Sequence, residues 1–134
     1  MKIQGFHHLA VQVHALEEVA TFYREVLGLQ ERERHHGQDG TVRSIWLGLP
    51  GGFLALERVE ATPQPDPRFR DGRPGFFLIA LRIDASERAR VRAELERRRV
   101  SLVHETRWTL YVRDPEGNRV ALSHHPEEAV PAQG

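Results

Sequence analysis

The segment Gly5-Phe6-His7-His8-Leu9-Ala10-Val11 returns in the second half of the chain as Gly75-Phe76-Phe77-Leu78-Ile79-Ala80-Leu81, with Gly, Phe and Ala coinciding at one offset. Leu54-Ala55-Leu56 is matched at a similar offset by Val120-Ala121-Leu122. A repeat half a domain long points to two duplicated or fused modules. With 134 residues the chain can bury one real core but not two independent ones, so the copies must share one structure.

Both copies follow the same grammar. Residues 6–13 alternate as a strand, with Leu9, Val11 and Val13 on one face and Phe6, His8, Ala10 and Gln12 on the other. From Leu16 the apolar spacing changes to Leu16, Val19, Phe22, Tyr23 and Val26, one stripe of a helix that Gly28 is placed to end as a left-handed cap. Strands are expected at 30–35, 41–49 and 53–59, separated by Gly37-Gln38-Asp39-Gly40 and Pro50-Gly51-Gly52. This reads βαβββ. A connector at 61–75 carries Pro63, Pro65, Pro67 and Pro74, which bar a helix or a central strand. The second copy then gives a strand at 76–83, a helix from Asp84-Ala85-Ser86-Glu87 to about Arg98, and strands at 100–104, 108–112 and 119–124. Asp114-Pro115-Glu116-Gly117-Asn118 is the turn before the last strand. In that helix Arg and Glu alternate at spacings that allow Arg90-Glu94 and Arg92-Glu96 pairs, a solvated face. Its apolar positions, Ala89, Val91 and Leu95, are sparse, so it should lie peripherally on the sheet face of Phe77, Ile79 and Leu81.

Composition narrows the function classes. Nineteen basic and nineteen acidic residues balance, so no global field would draw a polyanion or an acidic membrane, and nucleic acid is disfavoured as the main partner. Cysteine is absent, which removes disulfides, thiolate nucleophiles and Cys-ligated zinc; a metal would need His, carboxylate or water. The N-terminus runs straight into a patterned strand with no apolar stretch of signal or membrane-span length, so a cytoplasmic location is expected.

The βαβββ-βαβββ order, the opening His8-Leu9-Ala10-Val11 strand and the closing Tyr111-Val112-Arg113-Asp114-Pro115-Glu116-Gly117-Asn118-Arg119 segment together resemble the vicinal-oxygen-chelate superfamily. That superfamily includes glyoxalase I, fosfomycin-resistance proteins, extradiol dioxygenases and bleomycin-resistance proteins; the resemblance covers residues 6–124. It implies an α+β fold in which two tandem βαβββ modules, 1–60 and 76–125, form a curved, half-barrel mixed-sheet cup with the helices outside. The Pro-rich connector at 61–75 joins them and a flexible tail follows at 126–134. A homodimer is a further expectation, since members commonly pair their modules across one.

In that family the metal ligands come from opening and closing strands, typically His on the former and Glu on the latter. The matching positions here are His8, Leu78, Ala55 and Ala121, of which only His8 has a donor. A displaced site would recruit Glu57, on the face of Ala55, giving two ligands where such sites take about three. No cofactor is therefore expected, with a divalent Fe, Zn, Mn or Ni ion on His8 and Glu57 as the alternative.

Alanines at Ala10, Ala55, Ala80 and Ala121 leave volume on the cup face, or let two halves pack closely. Phe6, Phe53, Phe76 and Leu78 would make it apolar, with Gln12, Arg82, Glu57 and Ser123 as polar handles. His8 reads as a residual ligand, a hydrogen-bonding or basic group in the cup, or an inert strand histidine. The doublets His7-His8, His35-His36 and His124-His125 should not chelate as pairs, because successive strand residues face opposite ways; His124-His125 could reach the cup rim. Trp46 shares parity with Ser44 and Gly48 and is assigned to the cup, while the facing of Trp108 and Tyr111 stays open. Arg68, Arg70 and Arg73 are solvated loop charges or a cap for an anionic ligand. The leading expectation is a metal-independent protein that sequesters an apolar or aromatic ligand, with His8, Ala10, Gln12, Trp46, Ala55, Glu57, Leu78, Arg82, Ala121 and Ser123 lining its site. The alternatives are a lyase, transferase or dioxygenase, metal-dependent or using His8 as base, and a dimer whose cup has become ordinary core.

Overall fold

The computed structural model describes residues 1–70 and 72–129. These form two compact units, Met1–Gln64 and Pro65–Gly134, which part within the proline-rich connector.

Unit one runs β1 (His8–Val13), α1 (Leu16–Thr21) continued by a π-helical turn (Phe22–Val26), β2 (Gln30–His36), β3 (Val42–Leu49) and β4 (Gly52–Arg58). Its sheet has the order β1-β4-β3-β2, with β1 parallel to β4 and the other pairs antiparallel. Leu16, Val19 and Ala20 of α1 and Phe22 and Tyr23 of the π turn are buried, and α1 contacts β3 and β4. Val13, Ile45, Leu47, Leu54 and Leu56 are essentially inaccessible. Each such side chain contributes about 1.5–3 kcal/mol, so one face of the sheet is this unit's core and the register cannot slip by one residue without exposing it. The helix ends as the sequence requires: Gly28 has φ +77°, and the Leu29 amide donates back to the Tyr23 carbonyl at 2.9 Å.

Unit two runs β5 (Ile79–Arg82), a 3-10 turn (Ala85–Glu87), α2 (Arg88–Arg97), β6 (His104–Glu105), β7 (Thr109–Arg113) and β8 (Arg119–Ser123). Its order, β5-β8-β7-β6, repeats that of unit one. So does its register. Ala10 lies opposite Ala55 and Ala80 opposite Ala121 in the parallel pairs; Trp46 lies opposite Ala55 and Tyr111 opposite Ala121 in the antiparallel ones. The fold is α+β, two helices with two four-stranded mixed sheets, neither of them closed.

Several expectations are corrected. The opening strand of module two is short, starting at Ile79 rather than 76. Leu78 precedes it, Phe76 is wholly exposed, and Phe77 is held instead by the Arg119 guanidinium, 4.9 Å from its ring centre. Phe77 therefore does not share a strand face with Ile79 and Leu81. Phe6 also precedes its strand and lies against Gly52, whose side-chain direction is that of Leu54, away from His8. The strand expected at 100–104 shrinks to His104–Glu105, because the chain leaves α2 through Arg99 at φ +58° and the Val100 amide bonds back to Leu95. On α2, Glu94 bonds Arg97 and Arg98 rather than Arg90, and Arg92 turns to Glu105. The Arg97 and Arg98 bonds hold the Glu94 carboxyl at about 2, well below its ordinary range. Leu95 is the one buried side chain of α2, and Ala89 is exposed.

The start of the tail is tied down rather than frayed. The His124 ring, 1% exposed, donates from Nδ1 to the Glu127 carbonyl at 2.6 Å and accepts at Nε2 from Arg88 at 2.9 Å. Arg107 pairs with Glu128. His124 is thus a structural group and not part of a rim. Residues 130–134 of the expected tail lie outside the described residues.

Candidate functional site

The sheet face of unit one opposite α1 is set by strand parity. Register puts His8, Ala10 and Gln12 of β1 beside Phe53, Ala55 and Glu57 of β4, and these beside Gly48, Trp46 and Ser44 of β3. At the His8 end the side chains form a continuous aromatic row. The His8 ring stacks on Phe53 with centroids 4.8 Å apart and planes 10° from parallel. Phe53 stacks on Trp46 at 4.4 Å and 24°, and His35 meets the far side of Trp46 edge-on at 4.7 Å.

His7 joins this row against expectation. It lies just before β1, where strand alternation does not yet hold, so its ring turns to the same side as His8. The two Nδ1 atoms are 2.8 Å apart, and His7 packs on Phe53 at 5.5 Å. One of the two Nδ1 atoms must donate and the other accept, which leaves Nε2 of His8 as the ring atom that can meet a ligand. His35 is oriented from both sides: Nε2 lies 3.0 Å from a Glu33 carboxylate oxygen and Nδ1 3.4 Å from the Ser44 hydroxyl.

A bulge in β2 adds a cation. Glu31 pairs with Leu47 and Glu33 with Trp46, so Arg32 is an extra residue between them. Its side chain lies across Gly48: a β-carbon there would sit 2.9 Å from Arg32 Cζ, and Arg32 Nη2 donates to the Leu49 carbonyl at 3.2 Å. Glu31 and Arg34 of β2 point towards α1 instead. Arg34 bonds Glu17 and Glu31, and Arg24 bonds Glu31 at 2.8 Å. The hydrogen bond from Arg34, with the nearby Arg24 charge, holds the Glu31 carboxyl below its ordinary range, and Glu31 raises Arg34 in turn.

Of the residues singled out in the sequence, His8, Ala10, Trp46 and Ala55 come together here. Gln12 and Glu57 lie at the other end of the same face, opposite one another and exposed. Glu57 is four residues along β4 from the partner of His8, roughly 13 Å at the rise of a strand, so His8 and Glu57 cannot share one ion. Leu78, Arg82, Ala121 and Ser123 belong to unit two. There Ser123 is engaged by the Thr109 hydroxyl at 2.9 Å, and Arg82 is exposed. Tyr111, the counterpart of Trp46, shares the face of Ala121, but Phe69 from the connector packs on it at 4.9 Å and stacks on His104 at 4.8 Å. Side-chain bonds to the backbone anchor that segment, with the Arg113 and Arg119 guanidinium groups each donating to the Arg68 carbonyl at 2.9 Å. Arg68 and Arg73 pair with Asp66, whose carboxyl the Arg68 bond holds at about 2. Trp108 stands apart from this face, against His124 and His125 with Arg107 over its ring.

The chain matches the model of the glyoxalase/bleomycin resistance protein/dioxygenase superfamily over residues 5–122. It belongs to that superfamily. Solved structures of the same fold include a glyoxalase/dioxygenase from Nostoc punctiforme, with TM-score 0.76 and 21% identity over 92% of each chain. Lactoylglutathione lyase from Agrobacterium tumefaciens has TM-score 0.64 and 21% identity over 93% of this chain and 96% of its own. The fosfomycin resistance protein FosX from Listeria monocytogenes, complexed with Mn(II) and sulfate, has TM-score 0.72 and 15% identity over 96% and 98%. At these identities the likeness establishes the fold. No curated protein sequence matches the chain.

The superfamily includes metal-dependent enzymes, as the manganese in FosX illustrates. The donor set here does not fit such an ion. Ala55, Ala121 and Leu78 carry only hydrocarbon, and among the described residues no three His, Asp or Glu side chains are grouped to hold a metal. No helix of the described residues is long and apolar enough to cross a membrane.

Proposed function

We propose that this superfamily member is a metal-independent small-molecule-binding protein that sequesters a planar aromatic compound on the β1-β4-β3 face of unit one. The stacked row of His8, Phe53 and Trp46 carries the reading. Phe53 and Ala55 are buried beneath this row while His8 and Ala10 are exposed and Trp46 half-buried, so a flat ligand would meet the open edge of the row at His8 and Trp46, and each well-placed aromatic contact adds about 0.5–1.5 kcal/mol beyond burial. Nε2 of His8 supplies one directional hydrogen bond. Binding of this kind needs a shaped apolar wall and a few polar groups, with no reacting centre.

A thermal-shift screen of flat aromatic compounds on chelator-treated protein tests this, because a ligand that binds only the folded state raises its melting temperature by mass action. The expected outcome is a concentration-dependent rise that is lost in Trp46→Ala. Contrary results would be no rise with any compound, or a rise that requires restored Fe, Zn, Mn or Ni and disappears in His8→Ala. The last would place the protein among the metal-dependent enzymes.

A further inference from the structure

We propose that Arg32 makes the unit-one face a receptor for aromatic anions, with aromatic carboxylates as the ligand class: the ring lies on the Phe53–Trp46 wall and the anionic group on the guanidinium. This rests on the aromatic-ligand reading and adds a charge requirement to it.

Three observations carry it. The first is the bulge. An unbroken strand would give Trp46 a single neighbour on β2, whereas two residues, Arg32 and Glu33, stand where one would pair. A bulge re-aims side chains in this way. The second is Gly48. It sits opposite Phe53 and in phase with Trp46, and its missing side chain is the space the Arg32 guanidinium fills. Any larger residue would push the cation off the wall. The third is charge pairing. Arg24 and Arg34, which serve the helix side of the same strand, are both bonded to carboxylates. Among the described residues Arg32 has no carboxylate within ion-pair distance, and its hydrogen bond to Leu49 uses one of five guanidinium donors.

The geometry also sets a length. Gly48 and Trp46 are two residues apart on β3, roughly 7 Å, so an acid group on Arg32 and a ring over Trp46 fit one aromatic acid of one or two rings. A guanidinium is suited to this task because its planar fork matches a carboxylate. Glu33, the other residue of the bulge, bonds His35 rather than the arginine.

Calorimetric titration of 2-naphthoate and of the neutral 2-naphthamide, at low and at high salt, tests the inference. The wild type should bind the carboxylate about three- to tenfold more tightly than the amide, the range for a partly exposed charge-assisted bond. That margin should narrow at high salt. Arg32→Gln should abolish the preference while leaving the amide unchanged, and Arg32→Glu should reverse it. Equal binding of both compounds by the wild type, or a preference that survives Arg32→Gln, overturns the role of Arg32 and leaves the aromatic-ligand reading standing. Failure of the wild type to bind either compound overturns both.

Discussion

At the scale of residues, the site depends on where one extra residue falls in β2. Period two alone places His8 and Trp46 correctly, because β1 and β3 are regular over the positions that matter. The same rule applied to β2 sends Arg32 and Arg34 to one side and Glu33 and His35 to the other. The bulge between Glu31 and Glu33 breaks that phase, and no local composition announces it, which is why the facing of Arg32 is not legible in the sequence. His7 escaped for a related reason, lying one residue outside the strand whose alternation would have turned it away. Phe53 was legible as a face residue but not as the centre of the row. Gly48 offers a direct check. It has ordinary strand geometry, so Gly48→Ala should keep the melting temperature or raise it slightly, alanine being favoured over glycine by roughly 0.5–1 kcal/mol in a strand. The displaced Arg32 should cost the variant its preference for 2-naphthoate over 2-naphthamide in the same titration. A variant that folds and keeps the full preference would show that the guanidinium does not work from that position.

At the scale of elements, the βαβββ order and the capping of the first helix follow from patterning, because the α1 side of sheet one is a dense apolar core that enforces its register. The weak element is α2, which buries little beyond Leu95 and relies on surface pairs such as Glu94 with Arg97 and Arg98. The sequence showed the alternating charges but not their partners, since the choice between spacings of three and four is made by rotamers and by Glu105 on a neighbouring strand. The helix also ends under strain: Arg99 occupies the left-handed position that glycine holds at Gly28. Arg99→Gly should therefore stabilise the protein by about 1 kcal/mol, the left-handed penalty of a residue with a β-carbon. Chemical denaturation would read this as a higher midpoint with an unchanged slope. A lower midpoint would mean that the Arg99 side chain has a stabilising contact that outweighs its backbone cost.

At the scale of the whole chain, the internal repeat is the feature the sequence displays most openly, and the matching registers of the two sheets give it physical content. The modules have nevertheless diverged where function would lie. In unit one the face bears His8, Phe53 and Trp46 with a cation from the bulge; in unit two the connector lays Phe69 over Tyr111 and His104. Alignment of the repeat could not reveal this, because Phe69 belongs to the proline-rich segment that has no counterpart in the first module. Superfamily membership fixes the fold, while Ala55, Ala121 and Leu78 carry no donor atom at the positions the family resemblance assigns to metal ligands. What remains is an aromatic wall in unit one. The two tryptophans make it directly testable, since Trp46 is on the wall and Trp108 belongs to unit two, where it packs against His124 and His125. In nitrogen-15 correlated spectra recorded during titration with 2-naphthoate, the indole N–H signal of Trp46 should move with saturation while that of Trp108 stays in place. An unmoved Trp46 signal, or equal movement of both, would contradict the assignment of the ligand site to unit one.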